Sequence, residues 1–462
     1  MSKKQSSHPS RREFLQNTGQ VAAASALVSV ATPRVHAGED NTIRVALIGC
    51  GGRGTGAVVN ALRVQQGPVK LVAMADVFDQ RLQSSLSSIK GNEEFSDRID
   101  VPQDRQFIGF DAYQKAMDCL RPGDIAIFTT PLVFRWVHFD YAIQKRLNVF
   151  MEKPLTADGP TSRRMLDLAV QSREKNLKVG VGLMSRHQRS LQQLAQRIHQ
   201  GEIGDIVTMR AYRMTGPIGS AFSTKWPGDP SELLWQIQRF HSFIWASGGS
   251  FSDFMIHVID HCCWMKDAWP VKAQALGGRH YREDDVDQNF DSYSVEYTFD
   301  DGAKLIADGR NIAGCEPIYK SYAHGTKGSA VVSKAGDCGS PSSIYTGQSP
   351  DSSKKIWESV TPPGEKSPYD NEWVALVNAI RNDQPYNEAE RGVMASVATS
   401  LGRAAAHSGQ EITFDELLNS EVEYAPDADK WTMDSPPPVK SDEEGKYPIP
   451  MPGMIGPQEY MA

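Results

Sequence analysis

Two side chains in the middle of the chain have the types and the spacing for proton transfer. Asp253 and His257 lie four residues apart in a helix-like stretch that begins with Gly248 and Gly249. Residues four apart on a helix share one face, so the carboxylate and the imidazole should point the same way. An imidazole titrates near neutral pH, which suits a group that takes a proton from an alcohol and returns it. The pattern favours an acid–base pair, although a helical histidine is more often a hydrogen-bonded core residue.

The same stretch superficially resembles a metal site. His257 and His261 are four apart, and Asp260, Cys262 and Cys263 lie beside them. Adjacent cysteines on a helix face different directions, and the acid–imidazole pair is already explained without an ion. We therefore expect no metal and predict that both cysteines are buried as thiols.

A glycine-rich turn near the amino end has the spacing of a dinucleotide-binding loop. It follows the β-branched run 43–48 and precedes a predicted helix over 57–65. The first glycine permits a tight turn, the second lets backbone approach a pyrophosphate, and the third lets helix and strand pack closely. The helix N-terminus would offer its N–H groups to the phosphates. The residues of the turn are Gly49, Cys50, Gly51, Gly52, Arg53 and Gly54.

An acidic residue completes this unit. Asp76 closes a second predicted strand, 69–75, and lies 22 residues beyond Gly54. Its carboxylate can accept hydrogen bonds from ribose hydroxyls and would repel a 2′-phosphate. No arginine occurs at 77–79, so the sequence favours NAD over NADP. The order strand, glycines, helix, strand and acid is much more specific than a glycine turn alone.

Alternating strand-like and helix-like runs continue to residue 183 and predict a doubly wound parallel sheet, a Rossmann domain over 38–183. At its carboxyl edge, where a nucleotide would bind, the strand ends carry Thr130, Pro131, Glu152 and Lys153. From 184 to 420 the pattern becomes strand-rich, with a hairpin turn at 300–302, and then returns to helix over 372–381 and 388–408. This predicts an α/β chain with a second, α+β domain.

The two ends of the chain differ in composition from the middle. Arg11 and Arg12, a weakly apolar stretch and small residues before position 37 resemble a twin-arginine export signal over 1–37. We therefore expect a periplasmic or otherwise extracytoplasmic protein, the alternative being a basic or disordered arm. Residues 421–462 are rich in proline and charge, which predicts an extended arm that wraps over a neighbouring subunit or is disordered.

Composition excludes several classes of protein. The chain has 462 residues with 49 Lys and Arg against 56 Asp and Glu, a net charge of −7. No basic excess is present to neutralise phosphates, which argues against a nucleic-acid binder. No run of 18 apolar residues occurs, so no stable membrane span is expected. Six irregularly spaced cysteines do not form a disulfide framework.

Together, the turn at 49–54, Asp76, the Thr-Thr-Pro at 129–131 and the Glu-Lys-Pro at 152–154 resemble the Gfo/Idh/MocA oxidoreductases. Glu-Lys-Pro after such a strand is that family's most specific short motif. The resemblance extends to about residue 420. It implies an NAD-binding domain followed by a domain with an open, mainly antiparallel sheet, whose other face commonly packs in a homo-oligomer.

The resemblance also implies roles for site residues. Asp253 and His257 would project at the nicotinamide beside Lys153. We expect His257 to be the general base and Lys153 to stabilise the alkoxide and relay protons. Asp253 is expected to be an orienting carboxylate that holds the imidazole or binds a substrate hydroxyl. Arg186 and His187 are expected substrate contacts where the domains meet. Core packing is the favoured role, and contact with a sugar the alternative, for Trp226, Trp235, His241 and Trp245.

Three functions are compatible with these residues. The leading one is an NAD-dependent dehydrogenase acting on a sugar, cyclitol or related polyol. The alternative is a glycosidase that uses tightly held NAD in a transient cycle of oxidation, elimination, water addition and reduction. A third is a non-catalytic sugar sensor, against which the presence of Lys153, Asp253 and His257 counts. In each case the partner is a small carbohydrate.

Overall fold

The computed structural model of the protein describes residues 41–282, 284–336, 341–365, 367–453 and 459. The predicted export signal lies outside these residues. None of the helices in the described ranges has the length and apolar character needed to cross a membrane.

The first part of the chain forms a six-stranded, fully parallel sheet in the order β3-β2-β1-β4-β5-β6. Its central strands are almost completely buried on both sides, as their continuous apolar runs predict. This is the predicted doubly wound sheet, and its strands are β1 (Ile43–Ile48), β2 (Val69–Asp76), β3 (Gln106–Ile108), β4 (Ile125–Phe128), β5 (Asn148–Met151) and β6 (Val179–Val181).

Helices connect these strands, and the first one differs from its prediction. It begins at Gly52, inside the glycine turn, and ends at Leu62, whereas the sequence predicted 57–65. Glycine is a poor helix former, but packing of this helix against the sheet outweighs that preference. The helices of this part are α1 (Gly52–Leu62), α2 (Asp79–Lys90), α3 (Ala112–Asp118), α4 (Arg135–Gln144) and α5 (Gly159–Glu174).

The second part forms a nine-stranded sheet in the order β14-β13-β12-β11-β7-β10-β9-β8-β15. The β7–β10 pair is parallel and the other pairs are antiparallel, so the predicted open, mainly antiparallel sheet is confirmed. The strands are β7 (Ile206–Thr215), β8 (Lys272–Gly278), β9 (Ser292–Thr298), β10 (Lys304–Asn311), β11 (Ile318–Gly325), β12 (Gly328–Ser333), β13 (Ser343–Thr346), β14 (Lys355–Glu358) and β15 (Ile412–Thr413).

The helices that follow β6 are α6 (Arg189–His199), α7 (Glu232–Gln238), α8 (Ile244–Ser247), α9 (Gly249–Lys266), α10 (Pro368–Arg381), α11 (Ala389–Ser408) and α12 (Phe414–Leu418). Helices α9 and α11 pack on the second sheet, whereas α10 packs against α1 and β6 of the parallel sheet. Both α9 and α11 are buried along nearly their whole length. A helix enclosed on all sides must face its polar side chains toward partners or a cavity. This requirement applies to Asp253 and His257 on α9.

The C-terminal segment packs on its own chain instead of extending away from it. Tyr424, Val439 and Tyr447 are buried in an apolar cluster with Trp235 and other residues of the second part. The composition of this segment predicted an arm that wraps over a neighbouring subunit or is disordered. The aromatic residues between the prolines pack into the cluster instead, and their burial stabilises a fixed position.

Candidate active site

A cavity of about 490 Å³ opens at the carboxyl edge of the parallel sheet, where it meets α9. Most of the predicted site residues line it. Cys50 does not, and neither do Arg186 and His187. The predicted residues that line the cavity are Gly49, Gly51, Gly52, Arg53, Gly54, Asp76, Thr130, Pro131, Glu152, Lys153, Asp253 and His257.

The glycines of the turn divide into two kinds. Gly49 has a φ of +96°, and a Cβ there would lie 2.7 Å from the Thr130 nitrogen. A Cβ on Gly54 would lie 2.2 Å from the Gly49 carbonyl oxygen. A Cβ on Gly51 or Gly52 would meet nothing within 4 Å. Packing of the protein itself therefore requires two of the glycines, and the other two leave open space at the N-terminus of α1.

Asp76 is fixed at the end of β2 by two backbone amides. The Cys50 amide donates to Oδ2 at 2.6 Å, and the Phe78 amide donates to Oδ1 at 2.9 Å. Burial raises the pKa of Asp76 despite these bonds. The Cys50 thiol is turned toward the Ala75 carbonyl, 3.4 Å away, and burial together with Asp76 raises its pKa.

One arginine beyond positions 77–79 lies at the end of the cavity where Asp76 is found. Arg81, in the first turn of α2, lines the cavity together with Asp76. Its guanidinium lies 4.8 Å from the centre of the Phe78 ring and donates to the Gln238 carbonyl at 3.3 Å. No arginine occurs at 77–79, but a helix that begins at 79 turns position 81 back toward the strand end.

Lys153 and Asp253 meet at the other end of the cavity. The Lys153 ammonium donates to the Asp253 main-chain carbonyl at 2.8 Å and lies 3.4 Å from Oδ1. Both side chains are largely buried, at 15% and 9% exposure. Burial acts to raise the pKa of Asp253, but the charge of Lys153 and the nearby His241 outweigh it, and the pKa falls. Asp253 is therefore a carboxylate near neutral pH. His257 lies one turn further along α9 and lines the same cavity.

His241, for which the sequence favoured core packing with contact to a sugar as the alternative, lines the cavity. Its Nε2 lies 3.4 Å from Asp253 Oδ2. It lies twelve positions before Asp253, with the short helix α8 and the first turn of α9 between them, so no regular spacing indicated the contact.

Glu152 and Arg53 form an ion pair between the glycine turn and the segment that carries Lys153. Arg53 Nε lies 2.5 Å from Glu152 Oε1, and the guanidinium stacks 4.7 Å over the Tyr369 ring. Arg53 also lies 3.4 Å from Glu372. Glu372 is buried, and this burial together with the charge of Glu152 raises its pKa well above the usual value. The pair places a cation beside the open glycines.

A buried arginine shapes the loop after β4. Arg135 donates to the carbonyls of Phe128 and Thr130, at 2.9 and 3.0 Å. Burial lowers its pKa to about 10, which still leaves it charged. Burial and Arg135 lower the pKa of neighbouring His138 to about 3, so that imidazole is neutral. Both line the cavity, and Arg135 fixes the loop that carries Thr130 and Pro131.

The structure places the two expected substrate contacts away from the cavity. Arg186 forms a two-pronged pair with Asp260, at 2.9 and 2.7 Å, and His187 lies 3.2 Å from Glu388. These pairs brace the junction between the two sheets. They also give Asp260 a partner other than a metal.

The remaining residues of the metal-like pattern on α9 also contact protein groups or are buried. His261 lies 3.2 Å from the Ser321 hydroxyl, and burial raises the pKa of both Cys262 and Cys263. Across the described ranges, His, Cys, Asp and Glu residues form no group of three or more that could hold an ion.

The chain is similar to a known protein family in sequence and to solved structures in fold. Residues 191–331 match the family model of the GFO/IDH/MocA C-terminal domain. That range includes α9 with Asp253 and His257, and most of the second sheet. No curated protein matches the chain in sequence.

Solved structures share the fold over most of the chain. One is an aldose–aldose oxidoreductase from Caulobacter crescentus complexed with glycerol, with a TM-score of 0.60 and 15% identity over 80% of this chain and 99% of that one. Another is scyllo-inositol dehydrogenase from Lactobacillus casei with bound NAD(H) and scyllo-inositol, with a TM-score of 0.56 and 20% identity over 81% and 99%. A third is levoglucosan dehydrogenase with NADH and levoglucosan, with a TM-score of 0.60 and 14% identity over 81% and 99%.

Proposed function

We propose that the protein is an NAD-dependent oxidoreductase of the Gfo/Idh/MocA family that oxidises a CH–OH group of a sugar, cyclitol or related polyol. The observation that carries the proposal is that Lys153, Asp253 and His257 share one cavity with an open glycine turn. The three fold relatives described above act on an aldose, an inositol and levoglucosan, as their names state. Their shared substrate class supports a polyol for this chain.

The residues of the cavity fit a dinucleotide. Gly51 and Gly52 leave space at the N-terminus of α1, where backbone N–H groups and the helix dipole favour phosphate. Arg53 adds a positive charge there, and Asp76 lies where a ribose would bind. When bound, NAD supplies the acceptor for the hydride that leaves the substrate carbon.

The chemistry of this chain's own residues is proton transfer and charge stabilisation. His257 takes the proton of the substrate hydroxyl, and the ammonium of Lys153 stabilises the alkoxide that forms. Asp253 stays ionised, and its main-chain carbonyl and carboxylate both contact the ammonium of Lys153 and hold it in position. Lys153 and Asp253 are largely buried, which lowers the effective dielectric around them and strengthens these interactions.

We also propose that the protein is exported in a folded state with NAD already bound, and that it assembles through the second sheet. The twin-arginine pattern supports export, because that route carries folded proteins. The compartment outside the cytoplasm would hold little free NAD, so the cofactor must dissociate slowly and be regenerated in place.

The cofactor content of the purified protein tests this proposal. When the mature protein is purified without added cofactor and then denatured, we expect the release of close to one NAD per chain. An empty site with rapid, reversible NAD binding would contradict this proposal.

A substrate screen tests the activity. The protein is incubated with monosaccharides, inositols, other polyols and their aryl glycosides, and both NADH formation and sugar products are measured. We expect a keto product from a free sugar or cyclitol, formed about 10²- to 10⁴-fold more slowly by the Lys153→Met variant. Release of the aglycone without net NADH would contradict simple oxidation and indicate the glycosidase cycle instead.

A further inference from the structure

His241 is held against Asp253 from the side opposite Lys153. Its Nε2 lies 3.4 Å from Asp253 Oδ2, and Lys153 lies 3.4 Å from Oδ1. The His241 side chain is 16% exposed, so water screens this contact only weakly. Each oxygen of the carboxylate therefore faces a different side chain.

The loop before α7 fixes the orientation of the imidazole. The Ser220 amide donates to His241 Nδ1 at 3.2 Å, and the Ser220 hydroxyl lies 3.0 Å from the same nitrogen. A backbone amide can only donate, so Nδ1 is the acceptor and the proton of the neutral ring lies on Nε2, facing Asp253. Gly219 has a φ of +56°, and a Cβ there would lie 2.8 Å from Nδ1. The loop therefore closes around the ring.

The backbone and the flat faces of His241 are held as well. Asn289 donates to the His241 carbonyl at 2.9 Å and accepts from the Ser250 amide, in the first turn of α9, at 2.7 Å. Phe254, the neighbour of Asp253, stacks on the imidazole at 5.1 Å and 25°. His241 and the helix that carries Asp253 are thus linked by side-chain, amide and ring contacts.

We propose that His241 is a positioning residue, which donates from Nε2 to Asp253 and thereby fixes the carboxylate that aims Lys153 into the cavity. The proposal rests on the function proposed above. Both ring nitrogens face protein groups, so His241 acts through Asp253 and not on the substrate. The orientation of the Lys153 ammonium depends on a carboxylate with two fixed oxygens, because a carboxylate held from one side can rotate about its last torsion.

Two variants separate the donor from the ring. His241→Gln places an amide N–H near the position of Nε2, and His241→Phe keeps a flat ring for Phe254 but has no donor. We expect His241→Phe to lower kcat by about 10- to 100-fold, the effect of misplacing a reacting group, with KM and NAD affinity within about 3-fold of wild type. We expect His241→Gln to restore most of kcat. Equal kcat for the wild type and His241→Phe would overturn the proposal.

A spectroscopic measurement tests the contact without using activity. In protein labelled with ¹⁵N-histidine, the signals of His241 are identified by their loss in His241→Gln. We expect the neutral ring to carry its proton on Nε2, and the shift of that proton to change in Asp253→Asn. A ring protonated on Nδ1 would contradict the proposal. If the wild type oxidises no polyol but these signals appear as expected, the proposed function fails and the positioning contact stands.

Discussion

The Lys153 ammonium lies 2.8 Å from the main-chain carbonyl of Asp253 and 3.4 Å from its carboxylate. Lys153 follows the end of β5 in the parallel sheet, and Asp253 lies on α9, which packs against the other sheet. The contact therefore joins the two halves of the molecule at the point where the proposed chemistry takes place. Lys153 and Asp253 therefore come together in the cavity only when the two halves are packed against each other.

Removal of either reacting group should abolish most of the activity and leave the cofactor bound. Lys153→Met and His257→Ala should each lower turnover by about 10²- to 10⁴-fold, because each removes a charge or a proton acceptor at the reacting carbon. Turnover and NAD affinity are measured together by single-turnover kinetics and titration. Lys145→Ala and His199→Ala, both at exposed positions, are the matched controls and should behave like the wild type. Normal turnover of His257→Ala would assign that residue a structural role.

Cofactor choice should depend on Asp76 and Arg81 in opposite senses. Asp76→Ala should weaken NAD and narrow its advantage over NADP, because the ribose loses an acceptor and a 2′-phosphate is no longer repelled. Arg81→Ala should weaken NADP more than NAD, because it removes the cation nearest that position. Dissociation constants for both cofactors test this prediction. A wild type that binds the two equally would remove the basis for assigning NAD.

The sequence was most informative where function depends on neighbours along the chain. The glycine turn, Asp76, the Glu-Lys-Pro at 152–154 and the spacing of Asp253 and His257 are local patterns, and the structure brings these residues to one cavity. His241 lies in a single 3-10 turn between α7 and α8, and Arg135 is the first residue of α4; tertiary packing brings both to the same cavity. Because neither follows from a period of 2 or 3.6 residues, the sequence indicates no role for Arg135 and a sugar contact of His241 only as the alternative to core packing.

Arg186 and His187 illustrate the opposite difficulty. Their position after the last parallel strand predicted contact with the substrate. In the structure, Arg186 pairs with Asp260 on α9, and His187 lies beside Glu388, just before α11. Pairing of buried charges is decided by the whole fold, and one sequence does not display it. The C-terminal segment differs for a similar reason, since its composition indicated solvent exposure while its aromatic residues found an apolar surface.

The buried carboxyl of Glu372 should lower stability at neutral pH. Burial and Glu152 raise its pKa, so the folded state retains a proton that the unfolded chain releases above about pH 4. Stability relative to a neutral side chain therefore falls as the pH rises from that value through the folded-state pKa. Glu372→Gln should raise the thermal midpoint at pH 7, and the difference should vanish below about pH 4. Glu421→Gln, at a carboxylate that is 88% exposed, is the control. A lower midpoint for Glu372→Gln at pH 7 would show that attraction between the Glu372 carboxylate and Arg53 stabilises the fold more than burial of the carboxylate destabilises it.

The C-terminal segment should stabilise the wall of the cavity. The Trp431 ring lies 5.8 Å from that of Phe134 and 6.4 Å from that of Phe110, both of which line the cavity. Trp431→Ala should lower the free energy of unfolding by about 2–4 kcal/mol and weaken NAD binding, because it leaves a void behind this wall. Denaturant unfolding and cofactor titration measure the two effects. Met433→Ala, at a side chain 38% exposed, should change neither. If Trp431→Ala changed neither the free energy of unfolding nor the affinity for NAD, the segment would not be part of the folded core.

The most direct test of the account follows the hydrogen that leaves the substrate. Protein with its cofactor bound is mixed with the best polyol of the screen, deuterated at the carbon that is oxidised, and the nicotinamide is examined by mass spectrometry after one turnover. We expect one deuterium on the cofactor, a keto product that has lost it, and transfer that is about 10²- to 10⁴-fold slower in the Lys153→Met variant. A keto product without deuterium on the cofactor, or equal transfer in Lys153→Met, would contradict this expectation.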